Sequence, residues 1–155
     1  MPKRSAGLMM YRRRHDSLEV FLVHPGGPYW ANKNLGAWTI PKGEYAENEQ
    51  GLDAAKREFQ EETGFVPEGN YLPLGEVKQN GGKIVAAWAF EGDCDPSKLS
   101  SNLCQIEWPP GSGTLAHIPE MDRGSWFSIV DGMRHILKGQ EPLLDRLIET
   151  LRVSG

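Results

Sequence analysis

The sequence predicts an α/β fold, a mixed β-sheet covered by helices on both faces. Three observations carry that expectation. Strand-like segments lie before and after one central amphipathic helix. Two further amphipathic helices close the chain. And 155 residues, 39 % hydrophobic and 25 % charged, suffice for one globular domain with a real core but are few for two. The whole chain, 1–155, therefore reads as one domain, with no internal repeat or linker.

Taken in order, 7–11 and 20–23 read as strands joined by the polar turn Arg14-His15-Asp16-Ser17. The stretch 24–36 is rich in Gly, Pro and Asn and reads as a long loop of the kind that carries function. A short strand over 37–40 leads into Pro41-Lys42-Gly43. A helix is expected from about Gln50 to Gly64, where glycine suits the C′ position and Pro67 lies beyond. The strands 72–78 and 83–90 flank Gln79-Asn80-Gly81-Gly82, a hairpin signal. Residues 91–103 are polar and irregular. A strand is expected at 105–108 and a second functional loop at 111–124. Ser128-x-x-Asp131 opens a helix with Ile129, Met133, Ile136 and Leu137 on its apolar face, ended by Gly139. Pro142 opens the last helix, with Leu143, Leu144, Leu147, Ile148 and Leu151 on one side.

The net charge of −4 argues against an extended nucleic-acid surface. No apolar run reaches membrane length, and the amino terminus lacks the apolar stretch of a signal peptide. Cys94 and Cys104 match no zinc or redox spacing and read as reduced thiols in a cytoplasmic protein. His15, His24, His117 and His135 show no metal-ligand spacing and read as surface or structural histidines. The closing helices are explained by packing on the sheet, so no obligate protein partner is evident.

The chemistry concentrates between Gly43 and Phe65. Within Arg57-Glu58-Phe59-Gln60-Glu61-Glu62, three carboxylates at i, i+3 and i+4 are neighbours on a helix. They fall beside the apolar stripe of Leu52, Ala55 and Phe59, so the helix buries one face and lines a cleft with the next. Clustered carboxylates repel one another unless a cation neutralises them. Hard oxygen ligands of this charge suit Mg²⁺ or Mn²⁺ and phosphate chemistry.

The segment resembles a Nudix box, Gly-x5-Glu-x7-Arg-Glu-U-x-Glu-Glu-x-Gly-U with U bulky and apolar. Gly43, Glu49, Arg57, Glu58, Glu61, Glu62 and Gly64 fill the fixed positions, and Phe59 and Phe65 the two apolar ones. Seven such identities arise by chance on the order of once in 10⁸ starting points. The resemblance implies a Nudix-like α/β/α sandwich. It implies metal-dependent hydrolysis of a phosphoric anhydride in a nucleoside diphosphate linked to another group. It further implies that Glu58, Glu61, Glu62 and the Gly43 carbonyl hold the metal, with Glu58 and Glu62 first. Glu61 shares the metal cluster or acts as base. Arg57 reads as structural, paired with Glu49 or Glu61, and Gly64 as a backbone hinge.

Lys42 can reach a substrate phosphate or be an exposed turn lysine. Trp38-x-x-Pro41-Lys42-Gly43 is similar to a segment of diadenosine polyphosphate hydrolases, which points to diadenosine tetraphosphate as substrate. The tyrosine those enzymes carry after the box is missing, and the strand 84–90 holds Trp88 instead. Other readings are a nucleoside triphosphate or nucleotide-conjugate pyrophosphohydrolase, and a sensor that binds without cleaving. Trp38 joins Tyr29 and Trp30 as candidate substrate contacts; the loop aromatics can stack on a base or pin their loop to the core. Arg12-Arg13-Arg14 reads as a solvated strand end or, for one or two of them, a phosphate contact. The family often recruits a distant acid, for which Glu107, Glu120 and Asp122 are candidates. Glu120, at the end of the long loop, is the one expected close to Glu58 and Glu62.

Overall fold

The computed structural model describes residues 3–154; Met1 and Pro2 of the amino-terminal segment lie outside them. The strands are β1 (Arg4–Arg14), β2 (Ser17–Pro25), β3 (Lys42–Glu44), β4 (Leu72–Lys78), β5 (Ile84–Glu91), β6 (Leu103–Glu107), β7 (Leu115–Pro119) and β8 (Met121–Ser128). The helices are α1 (Gly51–Thr63), α2 (Ile129–His135) and α3 (Glu141–Ser154). The main sheet runs β4-β5-β1-β2-β8, with β3 also on β1. β1 and β5 are parallel and the other pairs antiparallel, so the sheet is mixed as expected.

Alternation along β1 decides the two cores. Ala6, Leu8 and Met10 face α1 and pack with Ala54, Ala55 and Phe59. Met9 and Tyr11 face the other way, with Leu143, Leu144 and Leu147 of α3. The result is an α/β/α sandwich. No helix among the described residues is long and apolar enough to cross a membrane.

The turns follow their residues. His15 and Asp16 both take positive φ in the two-residue β1–β2 turn. Between β4 and β5, Gly81 and Gly82 take φ of 84° and 81°. Ser128 caps α2 by accepting from the Asp131 amide at 3.1 Å. The α2 helix stops at His135, short of the expected end, because Ile136 turns to extended backbone and pairs with Trp38.

Two further expectations are corrected. The segment 37–40 makes only isolated bridges, Val23 to Thr39 and Trp38 to Ile136. It is wedged where β1 and β2 diverge, and the Ile40 amide donates to the buried Gln140 side chain at 3.0 Å instead of to a ladder. The stretch 111–124 is not a loop throughout. It forms β7, paired with β6 in a separate two-stranded ribbon, and the start of β8. Both ribbon faces are partly exposed, so no apolar alternation marked it.

Candidate active site

Three pieces of chain meet at the acidic face of α1. The first is α1 itself, where Glu58 and Glu62 share the buried side with Ala55 and Phe59. Gly64 ends the helix at φ 80° and donates to the Gln60 carbonyl at 2.8 Å. Glu62 is 2 % exposed and Glu58 8 %, while Glu61 is exposed.

The second piece is β3, held against β1 by the pairs Ser5–Glu44, Ala6–Gly43 and Gly7–Lys42. The Lys42 amide donates to Glu62 Oε1 at 3.1 Å. A Cβ at Gly43 would sit 2.5 Å from Glu58 Oε1 and closer still to the rest of that carboxyl. Glycine here therefore admits the Glu58 carboxylate against the β3 backbone.

The third piece is the corner between β7 and β8, which bears Glu120. Residues 100–102 tie this corner to the end of α1, using carbonyls that a helix leaves unpaired. The Ser100 amide donates to the Thr63 carbonyl, Asn102 to Glu61, and Glu120 in turn to the Asn102 carbonyl, at 2.8–2.9 Å. The Glu120 charge acts on Glu58, Glu62 and the Cys104 thiol alike.

The electrostatics record three carboxylates with too little counter-charge. Burial, then Glu120, pushes the Glu62 carboxyl up to about 9 against the Lys42 amide bond. Burial also raises Glu58, although the Arg57 hydrogen bond opposes it. The Lys42 ammonium is pushed down by burial, with Glu62 opposing and Lys83 adding to the fall. Lys83, just before β5, is thus a second cation near the site that the motif did not mark.

Arg57 grips Glu49 with two bonds, Nε at 3.0 Å and Nη2 at 3.1 Å. Its Nη1 donates to Glu58 at 2.8 Å and lies 3.5 Å from Glu61. These partners, Glu49 foremost, raise its already high pKa further. The loop before α1 is thereby fastened to the helix.

The donor set suits a hard divalent cation: buried carboxylate oxygens, a backbone approached within contact, and excess negative charge. No three His, Cys, Asp or Glu side chains among the described residues converge as a ready cage. The carboxylates instead take the donors at hand, Glu58 the Arg57 guanidinium and Glu62 the Lys42 amide.

The aromatic candidates separate. Trp38 is 5 % exposed, donates to Asn34 at 2.9 Å, and packs edge-on with His24 and Phe127. It belongs to the core on the α3 face, opposite α1, so it does not offer its ring to a ligand. Trp30 packs on the same core, whereas Tyr29 is 69 % exposed under the Lys33 ammonium at 3.5 Å. Arg12 is neither solvated nor aimed at phosphate. It pairs with Glu19 and Asp93, both at 2.7 Å, and stacks on Trp126. Glu107 caps the ribbon turn by accepting from the Gly111 amide at 2.6 Å. Cys94 and Cys104 are unpaired.

Asp122, one of the candidate distant acids, instead pairs with His24, 98 residues away. No local pattern announces the pairing.

Comparison with known proteins places this geometry in context. The family model of the NUDIX domain matches residues 1–110. No curated protein matches the chain. Among solved structures, a Caenorhabditis elegans Ap4A hydrolase binary complex is similar at TM-score 0.65 and 20 % identity, over 97 % of this chain and 98 % of that one. The NUDIX domain of Shewanella oneidensis NrtR, complexed with ADP ribose, gives TM-score 0.65 and 16 % identity over 97 % and 89 %. A Listeria innocua mutT/nudix family protein gives 0.62 and 18 % over 99 % and 97 %. At these identities the structures share the fold.

Proposed function

The chain belongs to the NUDIX domain family and is a pyrophosphohydrolase of that type, and from this premise we propose that its substrate is a dinucleoside polyphosphate, diadenosine tetraphosphate first. The observation that supports a hydrolytic site is the meeting of Glu58 and Glu62 with the Gly43 backbone and the Glu120 corner. In this reading Glu58, Glu62 and Glu61, with the Gly43 carbonyl, hold Mg²⁺ or Mn²⁺. Such an ion, when bound, would cancel substrate charge and ease ionisation of water.

The chain's own residues supply the rest. Glu120, or Glu61, accepts the proton of the attacking water. Water oxygen bonds to phosphorus, the bridging P–O bond breaks, and the leaving phosphate departs as an anion. Lys42, with Lys83 behind it, holds phosphate oxygens as that charge moves. Tyr29 offers a stacking face to a base, a contact that stabilises by about 1–3 kcal/mol. Arg57 and Glu49 keep the β3 loop and α1 in register. The two unpaired thiols accord with a reducing, cytoplasmic setting.

A nucleotide panel with Mg²⁺, its products separated by chromatography, tests the reading. Diadenosine tetraphosphate should give ATP and AMP. Cleavage confined to nucleoside triphosphates or ADP-ribose would reject the substrate and keep the reaction class. Binding without cleavage of any member would favour the sensor reading.

A further inference from the structure

His24, the last residue but one of β2, has no exposed surface and packs against Trp38 at 5.2 Å. Its Nδ1 lies 2.9 Å from Asp122 Oδ1 and its Nε2 2.6 Å from the Lys33 carbonyl oxygen. A carbonyl only accepts, and so does an ionised carboxylate. Both bonds are made only when the ring carries a proton on each nitrogen. Asp122, its side chain 37 % exposed, stays in reach of water and supplies the matching charge. The other charged groups beside the pair are Arg123 and Lys33. Arg123 lies 3.8 Å from Asp122 and over the Trp38 ring, and the Lys33 ammonium turns to Tyr29.

Asp122 reaches the ring because β8 is bulged. His24 pairs with Arg123 and Pro25 with Met121, so Asp122 is an extra residue on the β8 side. Just upstream of it, the Glu120 carbonyl accepts from the Gly26 amide at 2.9 Å, at the root of the loop. The far part of that loop is held by the Lys33 carbonyl. One buried ring thus connects the loop bearing Tyr29 with the corner bearing Glu120.

We propose that His24 is a positioning residue of the hydrolytic site: as an imidazolium clamped between the Lys33 carbonyl and Asp122, it fastens the 26–36 loop to the β8 corner that carries Glu120. The proposal rests on the hydrolase reading above. A neutral ring can make only one of the two bonds and leaves the other acceptor facing a bare nitrogen, which releases one side. Ionic hydrogen bonds of this kind fix which parts pack together more than they add stability.

The test combines histidine ¹⁵N spectra, amide exchange and kinetics. In the folded protein both His24 ring nitrogens should carry protons, as the two acceptors require. Asp122→Ala should raise exchange of the Lys33 and Ala37 amides, now bonded to the Trp30 and Asn34 carbonyls, by about tenfold. KM should rise by more than kcat falls, because the loop meets substrate before the reaction. Asp122→Asn should rescue loop protection, since its amide can donate to the bare Nδ1 of a neutral ring that still donates to Lys33. His24→Gln should mimic Asp122→Ala; if it does not fold, Asp122→Ala decides. A wild-type ring with one unprotonated nitrogen, or an Asp122→Ala protein with unchanged exchange and KM, overturns the proposal. A protein that cleaves no nucleotide yet keeps the ring and exchange signatures breaks the hydrolase reading instead.

Discussion

One methyl group at Gly43 should disable this enzyme without unfolding it. Gly43 lies in β3, paired with Ala6, and its φ is not in the left-handed region, so the backbone accepts alanine. The obstacle to Gly43→Ala is the Glu58 carboxyl, with Oε1 only 2.5 Å from the new Cβ. Ordinary contact needs about 3.5 Å and the rest of the carboxyl is nearer than Oε1, so it must retreat by more than ~1 Å. A misplacement of that size can cost ~10²-fold in rate. Stability should change little, since replacing glycine at a compatible site gains ~0.4–1 kcal/mol, which offsets part of the cost of moving the Glu58 carboxyl off Arg57. We expect kcat down about 10²-fold with Tm within a few degrees of wild type. A double-mutant cycle with Glu58→Ala isolates the cause: Gly43→Ala should add little once Glu58 is gone. Full activity of Gly43→Ala, or equal losses with and without Glu58, would refute the reasoning.

Glu62 predicts a pH effect in protein freed of metal by EDTA. Its folded pKa of about 9 lies above the ordinary 4.5, so the folded state keeps a proton the unfolded chain has released. Stability from this group is present below 4.5 and is lost as pH rises towards 9, by at most ~1.4 kcal/mol per unit. Glu62→Gln should flatten that slope and lower turnover at least ~10²-fold; parallel Tm-against-pH curves for the two proteins would count against it. Arg57→Lys keeps the charge but loses the fork on Glu49, and should recover less than half of the activity lost in Arg57→Ala. Full recovery by lysine would show that the fork is unimportant. Glu120→Gln should lower kcat more than it raises KM, and steady-state kinetics showing a change in KM alone would remove it as base.

The acidic helix was legible because its information is local. Apolar stripe, carboxylates and terminal glycine all lie within one helical repeat pattern, and the structure places them on α1. That both faces of the sheet are covered was legible from the order of strands and helices along the chain. Of the β6–β7 ribbon only β6 was legible, as the strand expected at 105–108; β7 was not, because Leu115 is exposed and the alternate positions are only half-buried. Trp38 is a candidate substrate contact by the likeness of the Trp38–Gly43 segment to diadenosine polyphosphate hydrolases. The fork between β1 and β2 turns it to the opposite face, where Asn34 and Phe127 hold it. His24 and Asp122 find one another only after β2 and β8 are paired, and no spacing rule spans that distance.

The β8 bulge also settles a question of parity. Downstream of Asp122, odd-numbered Phe127 faces α3 and even-numbered Trp126 faces α1. Unbroken alternation would send Met121 to the α3 face, yet it packs with Phe21 and Val23 on the α1 side. The extra residue sets two consecutive side chains, Asp122 and Arg123, on the Trp38 side, and alternation resumes at Met121. Shortening β8 by that single residue would set Met121 next to Arg123 on the other face and still opposite Pro25, a regular ladder in which everything upstream keeps its side. A chain with Asp122 deleted should keep every box residue and the side of its distal acid, and lose only the carboxylate that meets His24.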